Sequence, residues 1–276
     1  MEQLACFRYL SSLHFEHCRL EPGAELRPTG LTCLKSLDLY CTPITNSQLR
    51  SISRLSRLER LKLDATGLKG DWLRPISSLR GLTVLTVNDG DLSDGATDSL
   101  ARMHGLTWLY LYHCKIDSRL GPALGRLEKL EFLALYDEPF DDEGAKHLTS
   151  LKHLRDLSLS RTAITDRGMA PLERLTNLTH LELSDTKVGD AGLRHLSKLP
   201  KLEVLGIGRT RATNACLKAL AAMPSLKFAC VVETDIKPTS AGFIGILDDS
   251  TGQWYPNEAR AKQAEAESGP AAGSVE

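Results

Sequence analysis

A leucine recurs every 24 residues, at Leu10, Leu34, Leu58, Leu82, Leu106, Leu130, Leu154, Leu178, Leu202 and Leu226, with no insertion between them. The period is clearest where LRDLSLSRTAITDRGMAPLERLTN, residues 154–177, is followed at once by LTHLELSDTKVGDAGLRHLSKLPK. A fixed period of about 20 to 50 residues marks a solenoid, in which each unit buries its apolar face against its neighbours. The 276 residues are therefore read as one array with short ends, not as one or two ordinary domains.

Within a unit the opening leucine is position one, and apolar residues return at positions four and six, as in Leu109/Leu111 and Leu181/Leu183. That alternation has the period of a strand with one face buried. Position nine is usually threonine (Thr42, Thr66, Thr162, Thr186, Thr210, Thr234), and position eleven is apolar again. A helix start follows. In Thr165-Asp166-x-Gly168 and Gly189-Asp190-x-Gly192 the aspartate is placed to cap amides of its own first helical turn. Apolar residues at positions sixteen, nineteen and twenty-two, such as Leu193, Leu196 and Leu199, then mark one face of a short helix.

This unit resembles the leucine-rich repeat, whose pattern L-x-x-L-x-L-x-x-N/C-x-L is met by Leu106, Leu109, Leu111, Cys114 and Ile116. The 24-residue length and the Thr-x-Ile-Thr-Asp-x-Gly-Leu run are similar to the bacterial variety of that family. The resemblance spans about Leu4 to Ile236. It implies an α/β solenoid, a curved arc of about ten parallel strands on the concave face and short helices on the convex face. It also implies that the inward side chain at position nine bonds to neighbouring backbone, which a threonine hydroxyl can do. Gly90 and Glu138 break that column and leave the regularity of their units open.

The ends depart from the pattern. Leu4 and Phe7 sit at positions nineteen and twenty-two of a unit before Leu10, so residues 1–9 are either a one-turn cap or the end of a repeat continuing upstream. Pro22 and Pro28 disfavour a regular helix in the first full unit. The solenoid is assigned to residues 10–236, a C-terminal cap with a candidate hairpin to 237–255, and a weak polar helix with a disordered tail to 256–276.

Composition narrows the function classes. The chain is 42% hydrophobic and 25% charged with a net charge of −1, so no whole-molecule field favours nucleic acid or an anionic membrane. The first residues lack the basic and apolar segments of an export signal, and no apolar run approaches a membrane span. Seven cysteines without a CxxC pair fit reduced thiols in a cytoplasmic protein; export as an effector stays open. No phosphate loop or dinucleotide fingerprint follows a strand, and Gly206-Ile-Gly208 is read as a smooth patch of surface. His14, His17, Cys18 and Cys41 lack zinc-ligand spacing. The acidic run Asp137, Glu138, Asp141, Asp142 and Glu143 suits a helix N-terminus better than a calcium site. An open curved surface with no water-excluding constellation implies no enzyme, cofactor or metal.

Strand alternation places positions three, five, seven and eight on the concave side. Tryptophan, tyrosine and phenylalanine gather there: Trp108, Tyr110 and Tyr112 with His113 in one unit, Phe132 and Tyr136 with Asp137 in the next, and Tyr40 three strands away. With Asp64 and Asp89 these residues form the candidate site. Clustered aromatic residues are what interfaces favour, although rings also pair laterally within sheets. Nine acids (Glu16, Asp38, Asp64, Asp89, Asp137, Asp156, Glu182, Asp185, Glu233) face this side against Arg60, Lys62, Arg161 and Arg209. The expectation is a non-enzymatic, monomeric module that binds a protein or peptide, basic in character. End-to-end association would follow from an exposed N-terminal core. A carbohydrate-binding surface is the alternative, as is a structural or substrate-recognition segment of a larger adaptor or effector.

Overall fold

The computed structural model describes residues 8–20, 30–92 and 96–236. The array lies in the compact unit Met1–Ile246; the expected C-terminal cap and tail, the segment holding Pro22 and Pro28, and residues 1–7 fall outside the described residues. Strands β1 (Ser12–Glu16) and β2 (Ser36–Tyr40) precede helix α1 (Asn46–Ile52), then β3 (Arg60–Asp64), α2 (Leu73–Ile76), β4 (Val84–Asn88) and α3 (Ala96–Leu100). Next come β5 (Trp108–Tyr112), α4 (Gly121–Leu124), β6 (Phe132–Tyr136), α5 (Asp142–Ala145), β7 (Asp156–Ser158) and α6 (Asp166–Leu172). The array closes with β8 (His180–Glu182), α7 (Asp190–Leu196), β9 (Val204–Gly206), α8 (Leu217–Ala221) and β10 (Phe228–Cys230).

The strands form one parallel ten-stranded sheet in chain order, each residue pairing with the one 24 places on, as Leu37 with Leu61 and Leu109 with Leu133. Parallel strands lie about 4.8 Å apart whereas packed helices need about 8–10 Å, so the sheet takes the inside of the arc. Between the two layers the leucines of positions one, four and six from Leu34 to Leu205 are buried in one continuous core.

Position eight turns the chain off the strand. His17, Cys41, Ala65, Asp89, His113, Asp137, Arg161, Asp185, Arg209 and Glu233 all have φ between 45° and 59°. This left-handed region is costly for a residue with a Cβ. The backbone N–H at this position donates to the carbonyl of position seven in the next unit, for example Asp89 to Tyr112 at 3.0 Å and Arg161 to Ser184 at 2.9 Å.

Position nine closes the turn, and the two interruptions of its column leave the sheet in register. Thr42 Oγ1 accepts from the Cys18 N–H at 3.2 Å and donates to the Tyr40 carbonyl at 3.0 Å. Thr162, Thr186, Thr210 and Thr234 donate to the carbonyl three residues back, at 2.6–2.7 Å. At Gly90 the missing side chain is replaced by an indole from the preceding unit. A Cβ there would come 3.2 Å from Trp72 Cζ2, and the fully buried Trp72 donates Nε1–H to the Asp91 carbonyl at 2.9 Å. At Glu138, 3% exposed, one carboxylate oxygen accepts from the Cys114 N–H and the other from the Ile116 N–H at 2.7 Å. Burial pushes this carboxyl up to about 7, against the opposing pull of the two amides.

The aspartates at position thirteen do not cap their own helices. Thr165 is the N-cap of α6, accepting from the Arg167 N–H, while Asp166 reaches into the next unit. Its Oδ1 accepts from Gly189 N–H at 2.6 Å and Gly192 N–H at 2.9 Å, supplying the cap that Gly189, lacking a side chain, cannot. Asp142 binds the amide and hydroxyl of Thr165, and Asp190 those of Thr213, in the same way. The glycine at position fifteen makes room: a Cβ on Gly168 or Gly192 would come 2.5 or 2.6 Å from the Asp142 or Asp166 oxygen.

Two stability outcomes follow from these columns. Asp166→Ala is expected to cost about 1–2 kcal/mol in a urea titration, because it strands two amides of the following unit. Gly192→Ala is expected to destabilise as well, and the double variant to lose less than the sum, since the first change removes the oxygen that the new methyl would strike. For Glu138 the folded pKa lies above the unfolded value near 4.5, so the folded state holds this proton more tightly. Its contribution is therefore most favourable at low pH and is lost as pH rises through about 5 to 7. Glu138→Thr, restoring the hydroxyl of the column, should gain on the parent protein by about 2 kcal/mol between pH 5 and pH 8. Melting curves across that range would refute this if the two proteins shifted in parallel.

Candidate concave-face site

The strictly parallel register sets side chains of equal position next to one another on the inner face of the sheet. Trp108 pairs with Phe132, Tyr110 with Ala134 and Tyr112 with Tyr136. The indole of Trp108 lies flat on the Phe132 ring, centroids 3.6 Å apart and planes within 4°. Tyr112 and Tyr136 meet at 5.0 Å with a 52° tilt, and the His113 imidazole stacks on Tyr112 at 3.9 Å. Arg161 stands 5.8 Å from the Tyr136 centroid and so extends the ring surface by one unit. Burial first, then the neighbouring Tyr136 and Asp137, raises the Tyr112 hydroxyl above its usual range.

The rings differ in what they offer to a partner. Trp108, Tyr110, Tyr112 and Tyr136 are half-buried, each with part of its surface in solvent. Phe132 is only 2% exposed and Ala134 1%, so both belong to the support of the patch and not to its open face. This departs from the expectation that every position-three ring faces solvent. Trp108, stacked directly on Phe132, takes one face of it. Tyr40 stands apart, with His17 edge-on at 5.5 Å and Lys62 5.9 Å above it.

Charge at the rim follows the left-handed column. His113 lies 3.5 Å from Asp89 and 2.6 Å from Asp137; Asp137 also meets Arg161 at 3.7 Å. Further along, Arg209 binds Asp185 through Nε at 2.7 Å and reaches Glu233 at 3.6 Å. From Asp89 to Glu233 acids and bases alternate unit by unit, a ladder that a tally of charges hides and that the position-eight residues spell out when read in order. Elsewhere Asp38 meets His14 at 3.0 Å, Asp156 meets His180 at 2.9 Å, and Asp64 accepts from Asn88 at 2.9 Å. Several carboxylates of this face thus already have a polar partner within the molecule.

Glu182 is the exception among the carboxylates. It is 8% exposed and makes no ion pair with a described residue; its Oε1 accepts from the Ser184 N–H at 3.0 Å and the Ser160 hydroxyl at 3.4 Å. Its carboxylate lies across Gly206, where a Cβ would come 1.8 Å from Oε2. The Gly206-Ile-Gly208 stretch is therefore the seat of an acid from the neighbouring strand rather than bare surface. The acidic run of the sixth unit is also spoken for: Asp141 caps α5, Asp142 holds Thr165, Glu143 pairs with Lys146 at 2.5 Å and Glu138 serves the column inside. Among the described residues no group of three or more His, Cys, Asp or Glu is arranged to hold a metal ion, and no disulfide joins the cysteines.

A model of the leucine-rich repeat region matches residues 1–245 of the chain. Among solved structures, an internalin (inlF) from Listeria monocytogenes superposes with a TM-score of 0.60 at 20% sequence identity. The alignment covers 76% of this chain and 65% of that one, so this chain spans less than two thirds of that internalin. Internalin C2 from the same organism gives a TM-score of 0.51 at 25% identity over 71% of this chain and 78% of that one. No curated protein matches the sequence.

Because Phe132 is 2% exposed beneath the Trp108 ring, Phe132→Ala is expected to cost about 3 kcal/mol. Tyr136→Ala, removing a half-buried ring, should cost clearly less. Denaturant midpoints that rank the two the other way would place Phe132 on the surface and Tyr136 in the core.

Proposed function

The chain belongs to the leucine-rich repeat family, and from that premise we propose that it is a non-catalytic module that holds a protein or peptide partner on its concave face. One observation carries the reading. Two pairs of rings from β5 and β6, Trp108 on Phe132 and Tyr112 on Tyr136, lie at the middle of a ten-stranded sheet, and Trp108, Tyr110, Tyr112 and Tyr136 each keep part of their surface in solvent. Most other inner positions are small or charged. Centrally placed tryptophan and tyrosine, ringed by groups that exclude water, are the usual anchors of protein interfaces.

The paired charges shape what such a partner would look like. Since Asp89, Asp137 and Asp185 already face His113, Arg161 and Arg209, a basic partner would have to compete with internal ion pairs. Affinity is therefore assigned to the rings, and the rim ladder to orientation. A cationic group of the partner would share Tyr136 with Arg161 and Tyr112 with the His113 imidazole.

The test compares the wild-type chain with a Trp108→Ala/Tyr112→Ala/Tyr136→Ala variant, shown by circular dichroism to be folded, in pull-downs from lysate. Proteins captured by the wild type should disappear from the variant. Equal capture by both would remove the patch from consideration. Retention of a defined glycan on an array, lost in the variant, would favour a sugar as the ligand of the same rings.

A further inference from the structure

The net charge of −1 conceals a segregation imposed by the repeat. The strand and loop side carries most of the acids, and the helix side most of the bases. Position twenty-one, just beyond the helix ends, holds Arg54, Arg102, Arg126, Arg174 and Lys198, all exposed. Position twenty-four adds Arg57, Lys129 and Lys201, and position seventeen adds Arg50, Arg74 and Arg194 on the helices themselves, again all exposed. Against them on this side stand Asp98 and Glu128, both exposed, while Glu143 is engaged by Lys146 and Glu173 by Lys198. None of the arginines at position twenty-one makes an ion pair with a described residue.

Helix stabilisation does not require this arrangement. The convex helices have four to seven residues, which leaves a weak macrodipole, and position twenty-four lies beyond their last turn. The bases instead make a band several columns wide along successive units.

We propose that the helix side of the array is a docking surface for an anionic lipid bilayer, engaging headgroup phosphates and carboxylates through these arginines and lysines. A band of this width fits a surface better than a single strand of nucleic acid, which needs a succession of stacking rings that the described helix side lacks. The contact is peripheral, for no described helix is long and apolar enough to cross a membrane. It leaves the aromatic patch facing away from the lipid. The proposal stands independently of what the concave face binds.

Co-sedimentation with vesicles tests it directly, using the full chain. One vesicle set contains phosphatidylcholine alone, the other about three parts phosphatidylcholine to one of phosphatidylserine. The chain should pellet with the anionic set at low salt, release as salt rises, and ignore the neutral set. Each base near such a surface is worth about fivefold in partitioning, so Arg54→Glu/Arg102→Glu/Arg126→Glu/Arg174→Glu should lower it more than ~100-fold. The variant with the three concave rings replaced by alanine should still pellet, which separates this surface from the concave one. Wild type left in solution with anionic vesicles at low salt would overturn the proposal. So would equal pelleting of the charge-reversed variant when its circular dichroism is unchanged, or tighter binding to duplex DNA than to the vesicles.

Discussion

Everything on the inner face depends on one hydrogen-bond pattern repeated between units. The carbonyl at position two accepts from the amides of positions two and three in the next unit, as Thr107 does from Glu131 and Phe132, and Arg155 from Thr179 and His180. At the other end of the strand, the amide of position eight reaches position seven of the following unit. With both ends pinned, a slip by one residue would turn the whole inner row of side chains over to the other face. The stacked rings, the rim ladder and the aspartate column are all consequences of that fixed register. They exist because a residue and its counterpart 24 places away must lie side by side.

The same rigidity explains how the chain tolerates departures from its own pattern. A solenoid cannot average a local defect over a large core, because each unit touches only its neighbours. Where position nine has neither threonine nor cysteine, the adjacent unit supplies the missing atoms: an indole at Gly90, and loop amides that meet the carboxylate of Glu138. The second solution is the less comfortable one, for it places an ionisable group where burial favours its neutral form. Its neighbour Cys114, in the same column, feels burial too, and its thiol is pushed up to about 12.

The sheet order and register of the described units were legible in the sequence, because an uninterrupted period makes register a matter of counting. Trp108 beside Phe132 and Tyr112 beside Tyr136 could be written down before any coordinate. What could not be read was the reach of side chains between units. Asp166 sits where an N-terminal cap belongs, and the local pattern points it at its own helix. Only three-dimensional spacing shows that Thr165 already holds that post and that Gly189 in the next unit lacks a cap. Burial within the inner face was hidden for a similar reason, since alternation assigns a face but says nothing of what leans over it. Phe132 and Glu182 both face the concave side and both are nearly excluded from solvent.

Charge offers the clearest case of information lost in a total and recovered by position. A net charge near zero argues against polyanion binding only if the charges are mixed, and a 24-residue repeat sorts them instead. Residues at one position share one side of the array, so a modest bias per unit accumulates into a face. On the strand side an acidic bias remains, and acids alternate with Arg161, Arg209 and His113 along position eight and meet them between units. On the helix side the arginines of position twenty-one recur without carboxylates opposite them. The two faces therefore carry opposite bias, which directs polyanions to the helix side and leaves contact chemistry at the rings as the property of the concave face.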